Sequence, residues 1–353
     1  MTQPIDPLRR SHPLTDPQPT AASPRTRHPI PEPSFSDAPS SPARSLFAPK
    51  PPLATATPTQ LAELAPTARD RMHQERLDTF RAQAQGPYAI AAYNIAVPPH
   101  FRMNGGANTA SVQAHHAELV QVARRHGCLD AVGPVTMGRG TSQQVVRLTS
   151  ALISEGNLPE GTPAEFRHNL HKLMWEFGIG MDCAGYVQQA FLETRSPKTR
   201  ADFGLNADIL NENLAGLGQN SHFSEVEFLH ARPGDLFTLR SRAPGEVGHA
   251  VIVYSHQIAD AKKAEELKER FGPASASAFQ GGPVHVYELD SSWGAGQGHD
   301  SGGVRRDVWL YNESTKDWAY VDARLAREQA FHVDPGGPCG EAIDGVYRPK
   351  GER

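Results

Sequence analysis

The stretch Gly180-Met181-Asp182-Cys183-Ala184-Gly185-Tyr186-Val187 places a thiol where a loop turns into a helix. Asp182 suits the N-cap, because its carboxylate accepts hydrogen bonds from the free amides of the first turn. Cys183 then occupies the first helical position, where those amides and the helix dipole favour a thiolate. The negative charge of Asp182 acts the other way. A thiolate there would be a nucleophile for carbonyl carbon. The competing reading is a buried structural cysteine, the commoner fate of a free thiol.

The helix that carries Cys183 shows itself by spacing. Val187, Ala190 and Phe191 fall on the face of Cys183. Strands follow. Arg232-Pro233-Gly234-Asp235-Leu236-Phe237 is a turn feeding a strand. Glu246-Val247-Gly248-His249-Ala250-Val251-Ile252-Val253-Tyr254 is a loop feeding an apolar strand that His249 opens. Val284-His285-Val286-Tyr287-Glu288-Leu289-Asp290 is a third strand, on which alternation puts Glu288 and Asp290 on one face.

In this order the three segments resemble the NlpC-type cell-wall peptidases and the related CHAP amidases, over about residues 165 to 295. Those families carry Asp-Cys-Ser/Ala-Gly, then Pro-Gly-Asp-Leu/Val, then Gly-His-Val/Ala-Ala/Gly. The resemblance implies a papain-like α+β core, with a nucleophile helix packed on an antiparallel sheet. It implies Cys183 as nucleophile and His249 as general base and acid. The third, orienting group is then Asp290, with Glu288 as its alternative. Asp182, Glu288 and Trp293 are expected to contact substrate. The aromatic-Gly-Gly motif usual before the cysteine is replaced by Trp175-Glu176-Phe177-Gly178-Ile179-Gly180, and Ala184 stands where serine is commoner.

A histidine beside the thiol makes a thiolate–imidazolium pair, and a third group fixes the imidazole tautomer. The amide of Cys183 would help to hold the oxyanion. The implied activity is a cysteine peptidase or amidase acting on peptidoglycan stem peptide. The same residues could serve a protease, deamidase or acyltransferase acting on a target protein. A third reading is an interaction protein on a degenerate hydrolase scaffold.

Composition narrows the partners. The net charge of -4 over 353 residues carries no nucleic-acid footprint. Three cysteines make no disulfide framework. The start Met1-Thr2-Gln3-Pro4-Ile5-Asp6 opens no apolar signal segment, and no apolar run approaches the roughly 20 residues of a membrane helix. The expectation is a soluble product of the bacterial cytoplasm, exported if at all by a non-Sec system, with secretion machinery or an immunity protein as partner.

Residues 1–58 are expected to be a disordered, proline-rich tail. Of 30 prolines, 15 precede residue 60, and Phe35 and Phe47 are the only aromatics there. Pro4 to Pro7 and Pro49 to Pro52 have docking-motif spacing but read as linker. Residues 59–160 are expected to be a helical region, with a helix capped by Thr59 and broken at Pro66, a strand or buried connection over 88–97, and helices over 109–127 and 142–155. The core is expected over 161–335, with helices at 163–177 and 201–216. A charged insert over 259–282 is a lid or decoration. A glycine-rich loop follows Trp293, further strands cover 304–311 and 317–320, and 336–353 is expected to be an irregular tail. His115, His116 and His126 with Cys128, and Glu165, His168 and His171 on one helix face, lack converging ligand spacing. No metal and no cofactor is expected.

Overall fold

The computed structural model describes residues 57, 59, 64–102, 108–158, 161–196, 201, 222–241, 248–294, 302–321, 331–338 and 341–351. They belong to one compact unit, Lys50–Arg353. The proline-rich tail, its docking-motif spacings, the helix expected after residue 201 and the glycine-rich loop after Trp293 lie outside them.

Helices α1 (Ala68–Ala84), α4 (Ser142–Ser154) and α5 (Pro163–Phe177) each begin at a threonine whose hydroxyl and partner close a reciprocal box. Thr67 pairs with Asp70, Thr141 with Gln144 and Thr162 with Glu165, so two first-turn donors are satisfied at each start. Helix α1 therefore starts after Pro66 with Thr67 as its cap; Thr59 is itself helical, and the rest of the helix expected from it up to residue 63 lies outside the described residues. Residues 88–95 form a hairpin of β1 (Tyr88–Ile90) and β2 (Tyr93–Ile95). Helix α2 (Thr109–Arg125) buries Val112, Leu119, Val122 and Ala123. The short α3 (Leu129–Thr136) accommodates Pro134. Gly178, at φ 67, ends α5 in the left-handed conformation that glycine adopts without strain.

β3 (His100–Phe101) and β4 (Gly180–Met181) pair in parallel immediately before α6 (Cys183–Thr194). The main sheet contains β5 (Phe223–Glu225), β6 (Leu236–Ser241), β7 (His249–Ile258), β8 (Val284–Trp293), β9 (Gly303–Asn312), β10 (Trp318–Val321), β11 (Phe331–Asp334) and β12 (Glu341–Pro349). Their order is β11-β10-β9-β8-β7-β6-β12-β5, with antiparallel neighbours throughout. The chain is thus an α+β fold in which the Cys183 helix packs on an antiparallel sheet through β7 and β8.

Alternation divides the sheet into two faces. Leu236, Ala250, Ile252 and Val304 join Tyr186, Val187 and Phe191 of α6 in one core, which also holds residues of α1 to α5. Phe237, Leu239, Val251, Val253, Leu289, Trp293 and Trp309 form a second core on the other face, covered in part by Phe228 and Leu229. The N-terminal helices and the sheet therefore share a core, and no boundary falls near residue 160.

Two expectations need correction. Residues 336–353 are not an irregular tail, because β12 lies inside the sheet, between β6 and β5. Its Val346 and Tyr347 are buried, which outweighs the glycines and prolines around them. Nor is the 259–282 insert a lid. Helix α7 (Ala261–Phe271) and the 3-10 turn after it bury Ala264, Leu267, Phe271 and Phe279 against Val284, Val286, Val308 and Leu310 of the sheet. Among the described residues, no helix is long and apolar enough to cross a membrane, and no group of three His, Cys, Asp or Glu could hold a metal ion.

Candidate active site

The loop before Cys183 is held from several sides. The Asp182 amide donates to the Gly138 carbonyl at 3.0 Å, and the Arg102 amide donates to the Met181 carbonyl at 3.1 Å. The Ser292 hydroxyl donates to the same Met181 carbonyl at 2.6 Å. Asp182 caps α6 by accepting from the Gly185 amide, and its other oxygen pairs with Arg139 at 3.2 Å. Its carboxylate is thereby committed to positioning the helix, and the substrate contact expected of Asp182 is not what it makes here.

Two glycines permit this approach. Gly138 has φ +78, and a Cβ there would sit 2.1 Å from the Arg102 carbonyl oxygen. A Cβ on Gly185 would sit 2.0 Å from the Gly138 carbonyl oxygen. Gly138→Ala should therefore cost about 1–3 kcal/mol from its backbone conformation alone, beyond the clash. Gly133→Ala, where nothing lies within 4 Å, is the matched control. Urea midpoints of the two variants should separate clearly; equal midpoints would mean that the loop is not tightly held.

Cys183 is partly buried and opens α6. Burial pushes its thiol up to about 11, with the Asp182 charge adding to the shift. The amides of Ala250 and Ala184 hydrogen-bond the sulfur and pull the other way, as does Arg139. The thiol thus lies against the backbone of the residue that follows His249.

His249 starts β7 opposite Leu239. Its ring packs against Trp293, with centroids 4.2 Å apart and the planes tilted by 35°, and the Arg305 guanidinium lies over the Trp293 ring at 5.2 Å. Burial pushes the His249 pKa down to about 3, with a contribution from Arg305. Its Nε2 is buried and has no hydrogen-bond partner. Alternation turns Ala250 toward α6 and His249 toward the face of Leu239 and Trp293. The imidazole is therefore next to the thiol along the backbone, but no hydrogen bond joins them among the described residues. As the first residue of its strand, His249 can reach the sulfur only around the strand end, by leaving Trp293.

The expected third group is not there. Asp290 is fully buried and accepts two hydrogen bonds from Arg306, at 2.7 and 2.8 Å. Arg306 also reaches Asp78 of α1 at 3.0 Å and lies over the Tyr254 ring. Asp290 faces Ile252 across the ladder, on the α6 side, so it cannot orient His249. Glu288 accepts from the Ser255 hydroxyl at 2.9 Å, well along the strand from His249. Neither carboxylate completes a triad, and Glu288 makes no contact near the thiol. Trp293 is 7 % exposed, so it packs against His249 and is not a surface open to substrate. Gly185 stands in the Asp-Cys-Ala-Gly motif, but Arg139, Arg305 and Gly138 were invisible to motif reading, because each acts through a neighbour distant in sequence.

No known protein family matches the chain, and neither a curated protein nor a solved structure is similar to it.

Proposed function

We propose that this chain is a cysteine-dependent amide hydrolase of papain-like architecture, with Cys183 as nucleophile and His249 as its base. What supports the reading is the thiol at the start of α6, hydrogen-bonded to the Ala250 amide and one residue from a histidine. In the reaction, His249 leaves Trp293 and takes the thiol proton while sulfur attacks the carbonyl carbon. The amide of Cys183 or Ala184 holds the oxyanion. The imidazolium returns its proton to the leaving amine, and water then releases the acyl group from sulfur with His249 again as base. Asp290 takes no part. The proposed substrate is peptidoglycan stem peptide, with delivery by a non-Sec secretion system and an immunity protein as a further partner.

The interaction-protein reading is favoured by one observation, the absence of a bond between thiol and imidazole together with a thiol pushed up to about 11. Chemistry separates the two readings. A thiol of that pKa is ionised to about one part in ten thousand at pH 7. As an isolated group it should alkylate with iodoacetamide at a rate that climbs tenfold per pH unit toward pH 11. A working Cys183–His249 pair should instead alkylate on a plateau around neutrality, and an acyl adduct of stem peptide on Cys183 should be captured by mass spectrometry. A steep climb with no adduct would refute the hydrolase reading.

A further inference from the structure

A second cluster of titratable groups lies on the Trp309 side of the sheet and plays no part in the chemistry above. His256 of β7 and His285 of β8 are both buried. His256 Nδ1 lies 2.9 Å from the Ala231 carbonyl oxygen, and its Nε2 lies 2.8 Å from His285 Nδ1. His285 Nε2 lies 2.5 Å from Glu313 Oε1. Three hydrogen bonds thus run in series from a backbone carbonyl to a carboxylate.

Counting protons along this chain gives a constraint. A carbonyl and a carboxylate only accept, so both ends demand a proton from the histidine that touches them. The central bond needs a third. Two neutral imidazoles carry two protons between them. With two, one contact sets lone pair against lone pair in a buried place, where an unmade hydrogen bond is costly. We propose that the chain holds one further proton, as a His285 imidazolium against the Glu313 carboxylate, and that it latches the 228–231 turn to the 312–317 turn while that proton is bound.

The surroundings assign the proton to His285. Burial pushes His256 down to about 3, and His230 and Arg232 add positive charge near it. Burial, with His230 adding to it, leaves His285 below its usual value, but Glu313 touches that ring and opposes the shift through a hydrogen bond and by charge, a carboxylate contact that His256 lacks. The remaining neighbours are Tyr287, stacked on His256 at 4.2 Å, Tyr311 of β9, Glu227, which lies 3.6 Å from His230, and Asp70, which lines a cavity with His256 and pairs with Arg232 at 3.0 Å. Neither carboxylate bonds the His256 ring, whose two nitrogens face Ala231 and His285. The signs follow. The latch is closed where the pair keeps its proton, and it opens as pH rises through the pKa of the pair.

Nitrogen-15 NMR of the full-length protein counts ring protons directly. At pH 7 three of the four ring nitrogens of His256 and His285 should be protonated. In Glu313→Gln the amide can donate to a neutral His285, so the count should fall to two. Above the titration of the wild-type pair, amides of 228–231 and 313–316 should exchange together, about tenfold faster for each pH unit over and above the tenfold rise of hydroxide-catalysed exchange itself, as a one-proton equilibrium requires. A wild-type count of two at pH 7 overturns the proposal, whether or not the variant folds. A count that stays at three in Glu313→Gln, or exchange of the two turns that rises with pH only as fast as the hydroxide-catalysed reaction, overturns it as well.

Discussion

Cys183→Ala is expected to give a folded protein with no detectable turnover of stem peptide. Loss of a nucleophile in a comparable cysteine or serine hydrolase lowers kcat by about a million-fold. The fold should survive, because the cap and the loop contacts use Asp182, Met181 and Gly185, not the thiol. What is lost locally is a small side chain and its bond to the Ala250 amide, on the order of 1 kcal/mol. Fragment release followed by mass spectrometry reads the activity, and the thermal midpoint reads the fold. His249→Ala should match it in activity. Unchanged product release in Cys183→Ala would remove the cysteine mechanism, whatever its stability.

The second large effect concerns stability. Arg306→Met should destabilise the chain by about 3–5 kcal/mol, because it strands Asp290 as a buried charge without its partner. The loss also leaves Asp78 of α1 tied to the sheet through the Tyr254 hydroxyl of β7, at 2.9 Å, without its ion pair. Burial already raises the Asp290 pKa, and Arg306 is the main opposing influence. Without the arginine that carboxyl should hold its proton to still higher pH. Its protonated form is then favoured by folding, so the damage should be greatest above the new pKa and shrink as pH falls. Replacing both members, as Arg306→Met with Asp290→Leu, should recover much of the loss, since an apolar pair of similar volume can substitute for a buried ion pair. Urea denaturation of the single and double variants at pH 5 and pH 8 tests this. A mild Arg306→Met at pH 8 would show that Asp290 is less dependent on its partner than its burial demands.

That ion pair also shows where reading the sequence stops. Alternation rightly put Glu288 and Asp290 on one face, but it does not say which face. The missing information was cross-strand: Asp290 lies opposite Arg306 in the β8–β9 register, and opposite charges in that position pair directly. Val304-Arg305-Arg306-Asp307 read as a strand, and its two arginines were the available signal. His249 was similar. Its place at the start of a strand was legible, but the small residue beside it is Ala250, one position on. A helix that approaches a strand needs the small side chain on its own face, so Ala250 turns inward and His249 turns away. The Asp182-Cys183 start of α6 was legible because a cap and its spacing are local. The hydrogen bonds to the Gly138 carbonyl and from the Ser292 hydroxyl were not, since their partners come from segments far along the chain.

The place of β12 bears on how the chain acquires its structure. β6 has β7 on one side and β12 on the other, and among the described residues β5 pairs with the sheet through β12 alone. During synthesis β6 leaves the ribosome about a hundred residues before its second partner, and β5 still earlier, at the usual pace of several residues per second. Until Glu341–Pro349 emerges, β5 has no strand to join, and β6 presents an unpaired edge of the kind that recruits other chains. Helices α1, α4 and α5 carry their own caps and can form at once, whereas closure of the sheet waits for the last strand. Nascent chains stopped before residue 341 should therefore be sticky and protease-sensitive in a way that those stopped after residue 349 are not.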